Sequence, residues 1–165
     1  MPALPTHNRR RFLCWVSALV VLSGCQPASD SPTPDLDDAA ETATVLYVFD
    51  GDTIEVDVAG ITERVRLIGI NAPEIGECWV DEARNSLTDL LREGTEVAMT
   101  TDVSDRDQYG RLLRYLWLGT MSVNEELVRR GDAESRRYPP DTALSDRFDT
   151  AEEEARDDSR GLWSC

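Results

Sequence analysis

Three short clusters in this chain carry residue types suited to chemistry on a charged substrate. Asp50-Gly51-Asp52-Thr53 sets two carboxylates around a glycine. Arg64-Val65-Arg66-Leu67-Ile68-Gly69-Ile70-Asn71-Ala72-Pro73-Glu74 runs alternate arginines into a loop that ends on a carboxylate, and Asp107-Gln108-Tyr109-Gly110-Arg111 places a further arginine behind an aspartate and a tyrosine. Taken singly, each has a plain structural reading: a hairpin turn, an edge strand with solvated arginines, a loop entering a strand. Together they contain what hydrolysis of a phosphodiester requires. Cleavage adds charge to phosphate oxygens that are already anionic, so the site needs a hard divalent cation, donors that grip two oxygens, and a base beside the attacking water. Asp52 can supply a first carboxylate for the cation. Arg66 and Arg111 can form bidentate forks that lysine would not reproduce, and Glu74 can accept a proton from water.

The elements that must position these groups follow from the patterning. Residues 44–49, 53–58 and 61–70 are rich in β-branched and aromatic residues and break at Asp50-Gly51-Asp52 and Ala59-Gly60, which predicts a three-stranded meander. From Trp79 to Arg92 the apolar residues recur at helical spacing, with Gly94 as a stop. Residues 95–101 and 111–118 give two more strands. Ser122 and Glu125 have capping-box spacing ahead of a short helix that ends at Gly131, and a third helix is expected over Leu144–Asp158. Five strands with a helix between the third and fourth close a Greek-key barrel of the OB type, so the expected class is α+β, mainly β barrel, with three helices.

At these residues the resemblance to a known family is plain. Asp-Gly-Asp-Thr, Arg-Leu-Ile-Gly-Ile-Asn-Ala-Pro-Glu, Tyr-Gly-Arg, Val-Asn-Glu-Glu-Leu-Val-Arg-Arg-Gly and a final Gly-Leu-Trp occur in order over about residues 44–164, and this set resembles the staphylococcal nuclease (thermonuclease) family. The resemblance implies an OB-fold barrel that cleaves DNA and RNA and leaves 3′-phosphate ends. It further implies a Ca²⁺ ion on Asp52, on the side chain of Asn71 and on the carbonyl of Ala72. Glu74 falls at the position of the general base, Arg66 and Arg111 at the phosphate-binding arginines, and Tyr109 at a nucleotide-contacting tyrosine, with Tyr138 as a candidate for base stacking. Asn71 departs from the family's usual aspartate ligand, and loss of that charge implies weaker calcium binding.

The remainder of the chain concerns location. Arg9-Arg10-Arg11 precedes the apolar run Phe12–Leu22, which as a helix spans only about 16 Å, half a bilayer core. That is the pattern of a signal peptide over residues 1–24, with a twin-arginine look, and Leu22-Ser23-Gly24-Cys25 resembles a lipobox in which Cys25 takes the lipid. Residues 25–43, rich in Pro, Ser, Thr and Asp, are expected to form a flexible tether to a domain at 44–165. Export leaves Cys78 and Cys165 as an even pair and suggests a disulfide closing about 87 residues, which the loop-entropy model values at roughly 4 kcal/mol.

The chain has no lysine. Without the signal it carries 14 arginines against 32 acids, a net charge of −18, which opposes binding of a polyanion at low salt. At molar salt the Debye length is about 3 Å and the objection falls away, so a halophilic setting is expected. The expected protein is therefore an exported, lipid-anchored monomer acting on DNA or RNA with calcium. The main alternative is a non-catalytic OB-fold module that binds nucleic acid or protein at the cell surface. Asp52, Arg66, Glu74 and Arg111 together weigh against it, because a binding module needs no base beside a cation site.

Overall fold

The structure is a computed structural model and describes residues 40–165. The expectations for the signal and lipobox, for Cys25 and for nearly all of the tether lie outside the described residues. In chain order the elements are β1 (Glu41–Val48), β2 (Thr53–Val58), β3 (Ile61–Leu67), β4 (Ile70–Asn71), α1 (Val80–Leu90), β5 (Glu96–Thr100), β6 (Leu112–Leu118), β7 (Met121–Ser122), α2 (Val123–Arg130), β8 (Glu134–Ser135) and α3 (Ser145–Asp157), followed by a 3₁₀ turn at Gly161–Ser164.

The first three strands form because alternate side chains are apolar. Ala43 and Val45 on β1, Ile54 and Val56 on β2, and Val65 and Leu67 on β3 all point into the core and are buried. A register shift between Val45 and Tyr47 breaks this period on β1. The bulge lets Val48 also face inward and turns Tyr47 to the outside. β1 begins three residues earlier than composition predicts, because Glu41 to Thr44 pair with Met99 to Glu96 of β5. Apart from the buried Ala43, the segment is held there by the hydrogen-bond ladder rather than by apolar side chains.

The sheet order is β3-β2-β1-β5-β6-β7, and an additional β3–β6 pairing closes the ring into a five-stranded barrel. That closing pair is parallel, with Val65 opposite Leu112 and Leu67 opposite Arg114. The predicted third strand ends at Leu67 rather than at residue 70. Gly69 adopts φ 78°, and a Cβ there would meet the Phe148 ring at 2.7 Å, so only glycine makes this turn. Beyond it Ile70 and Asn71 leave the barrel sheet and pair with Ser135 and Glu134 of β8.

The helices cover the barrel with apolar faces: Ala83 and Leu87 from α1, Leu127 and Val128 from α2, Phe148, Ala151 and Ala155 from α3. Phe148 is wholly buried and meets Tyr115 edge-on at 6.0 Å; burying such a ring contributes about 1.5–3 kcal/mol. α2 starts where its capping signal lies, with Ser122 Oγ accepting from the Glu125 N–H at 3.3 Å, and it stops at Gly131 in the left-handed conformation. α1 instead begins on Trp79 at φ 72° with no side-chain cap. Cys78 and Cys165 are joined by a disulfide, which ties the C-terminus to the segment between Glu74 and α1. Among the described residues no helix is long and apolar enough to cross a membrane.

Candidate active site

The turn after β1 is built to aim one carboxylate inward. Asp50 Oδ1 accepts the Asp52 N–H at 3.0 Å, a side-chain-to-backbone turn that fixes the next residue's direction. Gly51 lets the turn lie flat against the chain behind it: a Cβ there would fall 2.6 Å from Ala72 Cβ and 3.1 Å from Ala83 Cβ. Asp52 is consequently only 7% exposed. Its Oδ2 accepts the Ala72 N–H at 2.9 Å and pairs with Arg66 Nη2 at 2.9 Å, while Oδ1 accepts from Thr53 Oγ1 at 3.1 Å. Burial is the largest influence on its carboxyl, and with the nearby Asp50 charge it outweighs Arg66, the Ala72 N–H and Thr53, raising the pKa from 3.8 to about 6.

Arg66 projects from the outer face of β3 into the cleft. Its Nη1 donates to the Leu67 carbonyl at 2.8 Å, and its Nη2 sits among Asp52 Oδ2, the Ile70 carbonyl at 2.9 Å and Asn71 Oδ1 at 3.5 Å. A positive group thus already occupies a position ringed by hard oxygens, and binding a phosphate requires Arg66 to exchange at least one partner. The donors beside it, the Asp52 carboxylate, the Asn71 amide oxygen and the Ala72 carbonyl, are of the type a hard divalent cation takes. Only one of them is charged. Among the described residues no cluster of three or more His, Cys, Asp or Glu could hold a metal, so a cation here would depend on neutral oxygens. That chemistry fits calcium and implies a modest affinity.

Arg111 approaches from the opposite wall. Its Nε donates to Asp107 Oδ2 at 2.7 Å and its Nη1 reaches Thr53 Oγ1 at 3.5 Å, while Nη2 has no hydrogen-bond partner among the described residues. Burial alone would raise the Asp107 carboxyl, but hydrogen bonds from the Arg111 side chain and from the Arg111 and Tyr109 N–H groups outweigh it and hold it below the ordinary carboxylate range. Asp107 therefore stays ionised and fixes the guanidinium. Tyr109 is 75% exposed, with the Arg111 guanidinium 5.5 Å from its ring centre. Glu74 lies on an exposed turn closed by its own N–H donating to Glu77 Oε2 at 2.7 Å.

All of these meet. One cleft of about 570 Å³ is lined by Asp52, Arg66, Asn71, Glu74, Tyr109, Arg111 and Tyr138. Ala72 lies behind it, buried, and lines an adjoining groove with Asp50, Asp52 and Glu74. Three residues that position this site are given no role by the sequence alone, although two of them lie within its motifs. Asp107 is one. Asn124 is wholly buried in α2, where its Oδ1 accepts the Leu116 N–H and its Nδ2 donates to the Ile68 carbonyl, both at 2.9 Å; it pins the segment that leads into Asn71. Asp141 Oδ1 accepts the N–H groups of Val103 and Ser104 at 3.0 and 2.7 Å, anchoring the loop that carries Tyr109. A motif spacing hints at Asn124, but nothing local distinguishes Asp141 from the other acids of so acidic a chain.

Comparison with known proteins agrees with this geometry. The family model for staphylococcal nuclease homologues matches residues 64–165. A thermonuclease of Staphylococcus hyicus is 32% identical over 162 residues, covering 90% of this chain and 93% of its own length. An endonuclease (YncB) of Bacillus subtilis is 34% identical, covering 73% of this chain and 61% of its own, and a micrococcal nuclease of Shigella flexneri is 36% identical, covering 73% and 72%. A family match over most of the described domain, on a barrel where three of the motifs meet at one cleft, leaves a single assignment: the chain belongs to the staphylococcal nuclease family.

Proposed function

We propose that this nuclease is an exported, lipid-anchored and calcium-dependent enzyme that hydrolyses phosphodiester bonds of DNA or RNA and leaves 3′-phosphate ends. The observation that carries the catalytic reading is the meeting of Asp52, Arg66, Glu74 and Arg111 in one cleft, although they are spread over sixty residues of sequence. Arg111, with an open Nη2, and Arg66, after exchanging a partner, grip the non-bridging oxygens. Glu74, exposed on the cleft, takes the proton of the attacking water at its carboxylate. The water oxygen bonds to phosphorus, the bond to O5′ breaks, O5′ takes a proton from solvent to leave as a hydroxyl, and the phosphate remains on the 3′ side. Tyr109 and Tyr138 offer ring faces to neighbouring bases. A calcium ion on Asp52, Asn71 and the Ala72 carbonyl would supply charge stabilisation to the phosphate and acidify a bound water.

The experiment is a cleavage assay on DNA and on RNA at low and high salt, with calcium or with a chelator. Cutting is expected with calcium alone, and more efficiently at high salt, where repulsion by the net charge is screened. Binding without cutting under every condition overturns the reading in favour of a non-catalytic module. The export and lipid expectations are tested separately, by metabolic labelling with a radioactive fatty acid and loss of label in Cys25→Ser.

Asp52 gives a readout that does not depend on turnover. Its carboxyl is protonated up to about pH 6 in the folded protein, against the ordinary value of 3.8 once the chain unfolds and exposes it. Between those values the folded form holds the extra proton, so the metal-free protein loses stability as pH rises through that window. A cation that binds the ionised carboxylate restores it. Excess calcium is therefore expected to raise the thermal midpoint little at pH 5 and clearly at pH 8. Equal shifts at the two pH values, measured by scanning calorimetry, would remove Asp52 from the ligand set.

A further inference from the structure

Ten of the fourteen arginines among the described residues pair with a carboxylate within 4.0 Å. The other four, Arg64, Arg84, Arg92 and Arg136, have no such partner among the described residues. Arg64 and Arg84 are two of them, and both lie against aromatic rings at the end of β1 instead, Phe49 just beyond the strand and Tyr47 within it. The Arg64 guanidinium is 4.1 Å from the centre of the Phe49 ring, and that of Arg84 is 5.9 Å from the centre of Tyr47 and donates to its hydroxyl at 2.9 Å.

The pairing of β1 with β2 and β3 puts these groups on one outward face. Tyr47 lies opposite Glu55, which lies opposite Arg64, and the next row is Phe49, Thr53 and Arg66. The two rings meet edge-on at 5.0 Å. This face runs directly into the cleft. Phe49 and Arg84 line a groove of about 330 Å³ that shares Asp50, Asp52 and Glu74 with it, and Arg64 lines a hollow with Tyr109 and Arg111. Glu55, Asp50, Asp52, Glu74 and Asp81 are nearby acids, and none forms an ion pair with either guanidinium.

We propose that Tyr47, Phe49, Arg64 and Arg84 form a second nucleotide subsite, which takes a base and the flanking phosphate of a single strand as it leaves the catalytic cleft. The inference rests on the nuclease reading above and adds a surface that holds the strand beyond the cleft. Rings supply stacking faces that every base can use, and unpaired guanidiniums supply phosphate donors, the combination by which single strands are held without sequence preference. Continuity with the cleft and opposite charge both argue for a polynucleotide as the occupant. Stacking also persists in salt that screens phosphate contacts, which suits a protein of this net charge.

The test compares a dinucleotide with 12-residue single strands, of DNA and of RNA, on wild type and on Arg64→Gln/Arg84→Gln. On the long strands KM is expected to rise about ten-fold, the loss of roughly one charge-assisted hydrogen bond to phosphate, with kcat and dinucleotide cleavage unchanged. A Phe49→Leu variant is expected to raise KM similarly while keeping both charges. Equal effects on short and long substrates, or no effect on either, overturn the subsite. If wild type cuts nothing, the nuclease reading fails by itself, and anisotropy of a labelled 12-mer still decides the subsite: weaker binding in the double variant retains it, and equal binding removes it.

Discussion

Replacing Glu74 with glutamine is expected to lower kcat by about 10²–10⁴-fold, the usual contribution of a positioned general base. Glutamine keeps the size and the hydrogen-bonding reach of the side chain but takes up no proton at neutral pH. The residue is exposed, and the contact that shapes its turn is made by its main-chain N–H to Glu77 rather than by its carboxylate. Folding should therefore be unaffected, with an unchanged thermal midpoint. Affinity for an oligonucleotide in calcium should also hold, so the loss falls on kcat rather than on KM. Single-turnover cleavage with saturating enzyme isolates the chemical step. A variant within a few-fold of wild type in that measurement would take the base role away from Glu74.

Arg111→Lys is expected to cost about 10²–10³-fold in kcat/KM, the scale set by losing one preorganised donor to a developing oxyanion. The charge survives this change, but the planar fork does not. In the protein as folded, one nitrogen of the guanidinium is committed to Asp107 while another faces the cleft with no partner. Lysine has a single nitrogen and must choose between these tasks. Added guanidinium ion at millimolar concentration should restore part of the rate to an Arg111→Ala variant, whereas a merely structural arginine would not be rescued through the chemical step. Arg111→Lys with wild-type kcat/KM would mean that the phosphate is held elsewhere.

The barrel was legible because its signals are local. Alternation along residues 53–58, helical spacing in 80–90 and the Ser122 cap are each decided within a few residues, and the structure has them in the expected places. Where the expectation and the structure part, a distant contact is responsible. The third strand stops at Leu67 because the chain turns at Gly69 and its next residues pair with β8, some sixty-five residues later. β1 starts at Glu41 because a strand fifty residues away offers a hydrogen-bond ladder to polar residues.

The same division holds at the site. Residue types alone determined the chemistry on offer: carboxylates for a hard cation, arginines for a phosphate, a glutamate for a proton, two cysteines for a bridge. Sequence could not determine what each of them touches. Asp52 meets the Ala72 N–H across twenty residues and Thr53 meets Arg111 across fifty-eight. Those distances are fixed by closure of the barrel through the β3–β6 pair, an event that depends on the whole core and leaves no mark on any short segment. The arginine stacks on Phe49 and Tyr47 belong to the same class. They exist because a bulge in β1 rotates Tyr47 outward and cross-strand register sets Arg64 one row from Phe49, within reach of its ring, and only pairing in three dimensions decides register.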